Sequence, residues 1–180
     1  MKKLLPLLFV FPLLGIAQNT VCLTIDPNPN SNDPALAPFT KYVDVLGCFS
    51  IYAESTISDS KVLHAAAVAA ELLDNNEDGI VDDILIKDRL QNQQALMPIF
   101  SSEGSSAENT FFNNYNGDGV SAVLYQNEID PTQTGHWGDD ATVEEIMHTI
   151  NHVGHTNVYP SAFSMGPNSS LMSVAMDVAR

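Results

Sequence analysis

Residues Ser58 to Met97 read as a helix, an acidic turn and a second helix, and this order limits how the rest of the chain can be arranged. Val62, Leu63, Ala66, Val68, Ala69, Leu72 and Leu73 make a broad, alanine-rich apolar face, and Ser58, Asp59 or Ser60 can cap its start. The spacing predicts a helix over Ser58 to Leu73, buried on much of its surface. A second amphipathic helix is expected from Ile84 to Met97, with Ile84, Leu85, Leu90 and Leu96 apolar and Pro98 ending it. Between them stands Asp74-Asn75-Asn76-Glu77-Asp78-Gly79-Ile80-Val81-Asp82-Asp83. Its side-chain oxygens recur at alternate positions ahead of a glycine, the arrangement by which a tight turn aims hard ligands at a cation. An acidic Asp-Gly turn, with Asp82 or Asp83 capping the second helix, accounts for the same residues without a metal.

The loop resembles the calcium loops of EF-hand and dockerin proteins. Asp74, Asn76 and Asp78 occupy the first three alternating ligand positions, Gly79 the sharp turn, Ile80 the carbonyl ligand, Val81 the apolar position and Asp82 the next ligand. Leu85 stands where an EF-hand has its bidentate glutamate, so Asp82 or Asp83 would complete the set, as in the shorter DxNxDGxxD loops of exported proteins. The resemblance implies calcium held by Asp74, Asn76, Asp78, Ile80 and Asp82 in a structural role. Asn114, Asn116, Asp118 and Gly119 echo the spacing with a single carboxylate, and read as a turn.

The second constellation is Glu144 to His155, EEIMHTINHVGH, which holds three of the five histidines. A helix is expected from Thr142 to Val153, opened by a Thr142-x-x-Glu145 capping box and stopped by Gly154. His148 and His152 then lie one turn apart and can grip one metal ion, with His155 just past the last turn. This segment resembles, in part, the HExxHxxGxxH group of zincin metallopeptidases. That resemblance implies a zinc-like ion on His148, His152 and His155, with Met165 as a methionine under the site. Thr149 occupies the place of the family's general-base glutamate, and both Gly154 and His155 come early. Glu144 and Glu145 are the local substitutes as base or ligand. Glu145 and His148 also match the Glu-x-x-His spacing of di-iron carboxylate bundles, without the partner helices. The alternative is structural: Glu144 and Glu145 favouring the helix N-terminus and the histidines packed or hydrogen-bonded. His64 reads as a hydrogen-bonded helix residue, and His136 and Trp137 fall in an irregular loop, Asp130 to Asp140.

The address comes from the start of the chain. Lys2 and Lys3, the apolar run Leu4 to Leu14 and the small residues Gly15-Ile16-Ala17 predict a signal peptide over residues 1–17, hence a secreted or periplasmic protein. Export makes a Cys22–Cys48 disulfide the expectation; the bridge would close a loop of about 26 residues, worth about 3 kcal/mol. It would tie down an entry segment, 18–57, ahead of the 58–180 remainder of the same domain. Within it, Phe39 to Ile51, with Gly47 inside, reads as a strand or a short extended pair. The formal charge is −15, or −17 once Lys2 and Lys3 are removed (7 − 2 − 22). Such a surface disfavours nucleic acid and anionic membranes and concentrates cations. No further stretch is apolar enough to insert in a membrane.

Further elements expected are a loop over Ser101 to Asn109, a strand within Val120 to Ile129 and an amphipathic helix from Asn168 to Arg180. The whole reads as an α+β domain, mostly helical, with a short sheet and a helix–calcium loop–helix unit. Two functions follow: an exported metal-dependent hydrolase acting on a small-molecule or peptide substrate, or a non-catalytic calcium-binding domain with a structural histidine helix.

Overall fold

A computed structural model describes residues 22–132 and 140–179. The expected signal peptide at 1–17, and His136 with Trp137, lie outside the described residues. The fold is α+β, built on a five-stranded mixed sheet in the order β1-β2-β3-β4-β5. β1 (Asp26–Pro27), β2 (Lys41–Val45) and β3 (Phe49–Ala53) are antiparallel; β3, β4 (Leu96–Phe100) and β5 (Leu124–Tyr125) run parallel. The β2–β3 hairpin turns at Leu46 and Gly47, both at positive φ, with the Cys48 N–H donating to the Val45 carbonyl at 3.2 Å. Mirror-image turns of this kind match the twist of paired strands, and glycine enters them without strain.

Strand alternation divides the core in two. Phe49, Ile51 and Ala53 of β3 and Met97 and Ile99 of β4 face one side. There they meet α1 (Asp59–Leu73), α2 (Ile84–Asn92) and α4 (Thr142–Thr149), through Val62, Ala66, Leu90 and Ile146. Tyr52, Leu96 and Phe100 face the other side and pack with Phe39 and with Phe111 of α3 (Ser106–Asn114). The alanines of α1 let it approach the sheet closely, whereas the second face is filled by aromatic rings.

The sheet corrects the expectation of a short one, and the reason is local. α2 stops at Asn92, the chain reverses with Gln94 at φ 53, and Leu96-Met97-Pro98 begins a buried strand where a helix was expected to continue. The carbonyls of Ala95 and Ile99 point to β3, so alternation turns the missing N–H of Pro98 towards β5. The β5 pairing begins one residue later, opposite Ile99, so no ladder bond is lost there. The expected strand over Val120 to Ile129 is reduced to Leu124–Tyr125 followed by a 3-10 turn, Gln126–Glu128. α3 replaces part of the expected loop. Ser105-x-x-Glu108 signals its start, and the Ser105 hydroxyl accepts the Glu108 N–H at 3.1 Å.

The histidine segment also departs from expectation. α4 does not stop at Gly154 but runs on as a π-helix, Ile150–His155, and then α5 (Thr156–Val158). A Cβ on Gly154 would lie 3.3 Å from Ile86 Cγ2 and 3.6 Å from Leu90 Cδ2, so this glycine serves the close crossing of α2 over the π-helix. α6 (Pro160–Phe163) and α7 (Leu171–Val178) follow, the latter capped by Ser170. Among the described residues no helix is long and apolar enough to cross a membrane.

Candidate functional site

The acidic loop grows directly from the last turn of α1. Leu73 is in the core, and Asp74 behind it is only 4% exposed, so its carboxylate oxygens need hydrogen-bond partners. Both its oxygens are bonded: one accepts the Asp78 N–H at 3.2 Å, the other the Gly79 N–H at 2.7 Å. Asn76 Oδ1 accepts the Asp78 N–H at 3.0 Å, and Asp78 Oδ1 accepts the Ile80 N–H at 2.9 Å. Gly79 takes φ 84, a left-handed conformation that glycine reaches freely. Val81 then drops into the core while Ile80 is left outside, which pins the loop between two buried residues, Leu73 and Val81.

Asp82 stands at the far end of the loop, its N–H donating to the Leu73 carbonyl at 2.9 Å. Its carboxylate accepts the backbone and side-chain N–H of Asn75, both at 3.0 Å, and these bonds hold it below the ordinary carboxylate range. Asp83 caps α2 instead, accepting the Leu85 N–H at 2.9 Å and the Ile86 N–H at 3.3 Å, with the Tyr159 hydroxyl on its other oxygen at 2.7 Å. The loop thus arranges Asp74, Asn76 and Asp78 around one turn, with Asp82 closing it from the far side.

The histidine helix is less convergent. His148 and Glu144 lie one turn apart on an exposed surface, Nε2 to carboxylate oxygen 3.7 Å. His152 is exposed, and its carbonyl is bonded by the Thr156 hydroxyl and the Asn157 amide. His155 is half-buried, its ring 4.9 Å from that of Phe163. Burial holds His155 below the ordinary histidine range, opposed by the nearby Asp83 carboxylate. His152 and His155 both lie in the π-turn, Ile150–His155, whose angular step differs from that of α4. Burial raises Glu145 above the ordinary carboxylate range, with Glu144 and Glu128 adding to it and His148 opposing. Met165 is exposed, its sulfur 3.8 Å from the Asn151 amide nitrogen. Among the described residues no three His, Cys, Asp or Glu side chains converge as a metal-holding group, in either region.

The start of α4 holds a pair that sequence reasoning did not connect. His64 Nε2 on α1 lies 2.7 Å from Asp140, whose other oxygen takes the Thr142 N–H at 3.1 Å and the Thr142 hydroxyl. Burial alone would raise Asp140; the bonds from Thr142 and His64 outweigh it and bring the carboxyl below its usual range. The expected capping box is not formed: the helix starts at Thr142 behind Ala141, and Asp140 takes the one N–H of Thr142. The two residues stand 76 positions apart, and no local signal joins them.

Cys22 is exposed and Cys48 buried, each a free thiol here, and burial pushes the Cys48 thiol up to about 11. Cys48 follows the β2–β3 turn, and Cys22 lies four residues ahead of β1, which pairs with β2. Set against protein-family models, curated proteins and solved structures, the chain finds no match in any of the three.

Proposed function

We propose that this is an exported calcium-binding domain in which Asp74, Asn76, Asp78, the Ile80 carbonyl and Asp82 hold a calcium ion that locks α1 to α2. The observation that carries this reading is the buried Asp74 carboxylate, bonded to the N–H groups of Asp78 and Gly79. A cation suits that carboxylate because its two backbone bonds leave further acceptor capacity, and Gly79 supplies the turn that brings Asn76 and Asp78 alongside. The acidic surface raises the local cation concentration, and an extracellular setting supplies calcium at levels that an imperfect ligand set can use. On this reading the histidine helix is structural: Gly154 and Val153 pack on α2, and His155 on Phe163.

Calorimetric titration of the mature chain tests it. One calcium ion per chain is expected, with binding abolished by Asp74→Asn combined with Asp78→Asn. Heat of binding that is unchanged in the double variant would place the metal elsewhere. A second reading, a zinc-like ion and hydrolysis at the histidine helix, has the Glu144–His148 approach in its favour. It requires a zinc ion per chain that His148→Ala releases, and turnover of an ester or peptide substrate that falls with it.

A further inference from the structure

A groove lined by none of the residues of either metal candidate lies on the aromatic face of the sheet, at the end where β3 and β4 begin. It encloses about 550 Å³, the range of sites that take small organic ligands. Two half-buried tyrosines line it, Tyr42 and Tyr115, backed by Tyr52, which is only 3% exposed. They are held rigidly. Tyr42 and Tyr52 lie with ring centroids 5.1 Å apart, and the Tyr52 hydroxyl accepts the Asn30 amide at 2.7 Å. Phe111 stacks on Tyr115 at 4.8 Å and 17°, and the Tyr115 hydroxyl takes the Gly119 N–H at 3.1 Å. Gly117 completes this: a Cβ there would stand 2.7 Å from the Tyr115 hydroxyl, so the bare backbone admits the ring.

Around the rings the groove is edged by the amides of Asn30, Gln91, Gln93, Gln94, Asn114 and Asn116. An amide side chain both donates and accepts, which suits hydroxyl groups that do the same. Among the described residues the charged groups in the lining are Asp33 and Asp44, with no Lys, Arg or His. Asp33 accepts the Ala35 N–H at 2.8 Å and Asp44 the Gly47 N–H at 3.2 Å, so both carboxylates are held in place by backbone. Burial keeps the Tyr52 and Tyr115 hydroxyls above the ordinary tyrosine range, hence neutral.

We infer that this groove binds a neutral oligosaccharide. A sugar ring presents an apolar C–H face to an aromatic side chain and a rim of hydroxyls to amides and carboxylates. Tyr42 and Tyr115 supply the aromatic surface, and the amides and carboxylates beside them supply the polar rim. The acidic lining and the net charge of the chain turn away anionic polymers. Rings immobilised in advance lose little freedom on binding, which is where affinity for such flexible, hydrated ligands is usually lost. The inference rests on neither metal site.

Affinity electrophoresis of the mature chain tests it, with soluble β-glucan, xylan and galactomannan as probes and polygalacturonate as the anionic control. Retardation by at least one neutral polymer is expected, and none by polygalacturonate. Tyr115→Ala should weaken that retardation about tenfold, of the order of losing one well-placed aromatic contact. Because Tyr115 also packs on Phe111, the double variant Gln91→Ala, Asn116→Ala serves as a fold-neutral partner; it alters exposed amides and should weaken binding as well. Far-UV circular dichroism and the melt of each variant are recorded alongside. No retardation by any neutral polymer overturns the inference, as does retardation that both variants leave unchanged, or stronger binding to polygalacturonate.

Discussion

Replacing Asp78 by alanine separates the acidic loop as a turn from the acidic loop as a metal site. The side chain is exposed and accepts the Ile80 N–H at 2.9 Å, so its removal leaves the core untouched. Without calcium the loss is that of one surface hydrogen bond, about 0.5–1.5 kcal/mol. For a chain of this size about 1 kcal/mol moves the melting temperature by about 2–4 °C, so the variant in chelator should melt roughly 1–6 °C below the parent. Calcium at about a hundred times its dissociation constant stabilises the parent by about 2.7 kcal/mol, or roughly 5–11 °C. The variant has lost a ligand and should gain little. The assay is the melt of both proteins in chelator and in excess calcium, with magnesium as the control cation. The reasoning fails if the parent shows no calcium shift, or if parent and variant shift equally.

The remaining predictions concern the frame around the loop and the groove. Gly119→Ala would place a Cβ 2.5 Å from the Gln93 carbonyl oxygen and 2.6 Å from that of Gln94. Both are backbone atoms, and the Gly119 carbonyl also receives the Leu96 N–H at 3.0 Å, so a loss of about 1–3 kcal/mol is expected in the urea midpoint. His155 is held below its ordinary value in the fold, chiefly by burial, so the unfolded chain binds the proton more readily. Its contribution to stability is complete above the unfolded value of about 6.5 and is lost as pH falls through the folded value. The urea midpoint of His155→Phe should accordingly fall less steeply than that of the parent on acidification; equal slopes refute the assignment. Secreted, oxidised protein should show no reactive thiol and carry a Cys22–Cys48 bridge by peptide mapping, and Cys22→Ser should cost about 3 kcal/mol.

How far the residues alone reach can be judged element by element. α1 was legible because a 15-residue amphipathic run carries its own period, and the acidic loop because its oxygens are spaced by a local turn. The β2–β3 hairpin showed in its β-branched and aromatic residues around Gly47. β4 did not show: Leu96-Met-Pro-Ile-Phe is a short apolar run, and Pro98 signals a helix end as readily as an edge facing an unpaired stretch. The start of α3 was written in Ser105-x-x-Glu108, a signal present but not weighed.

Short-range physics therefore determined the elements: which residues cap, which turn, and which carry side-chain oxygens at alternate positions. Contacts between distant segments decided the rest. The π-turn that carries His152 and His155 runs where Gly154 lets α2 cross, 64 to 68 residues away at Leu90 and Ile86. The His64–Asp140 pair joins α1 to the start of α4. The tyrosine groove is assembled from residues that β2, β3 and the end of α3 contribute. Each depends on which faces are buried together, and burial is a property of the packed chain rather than of any window along it.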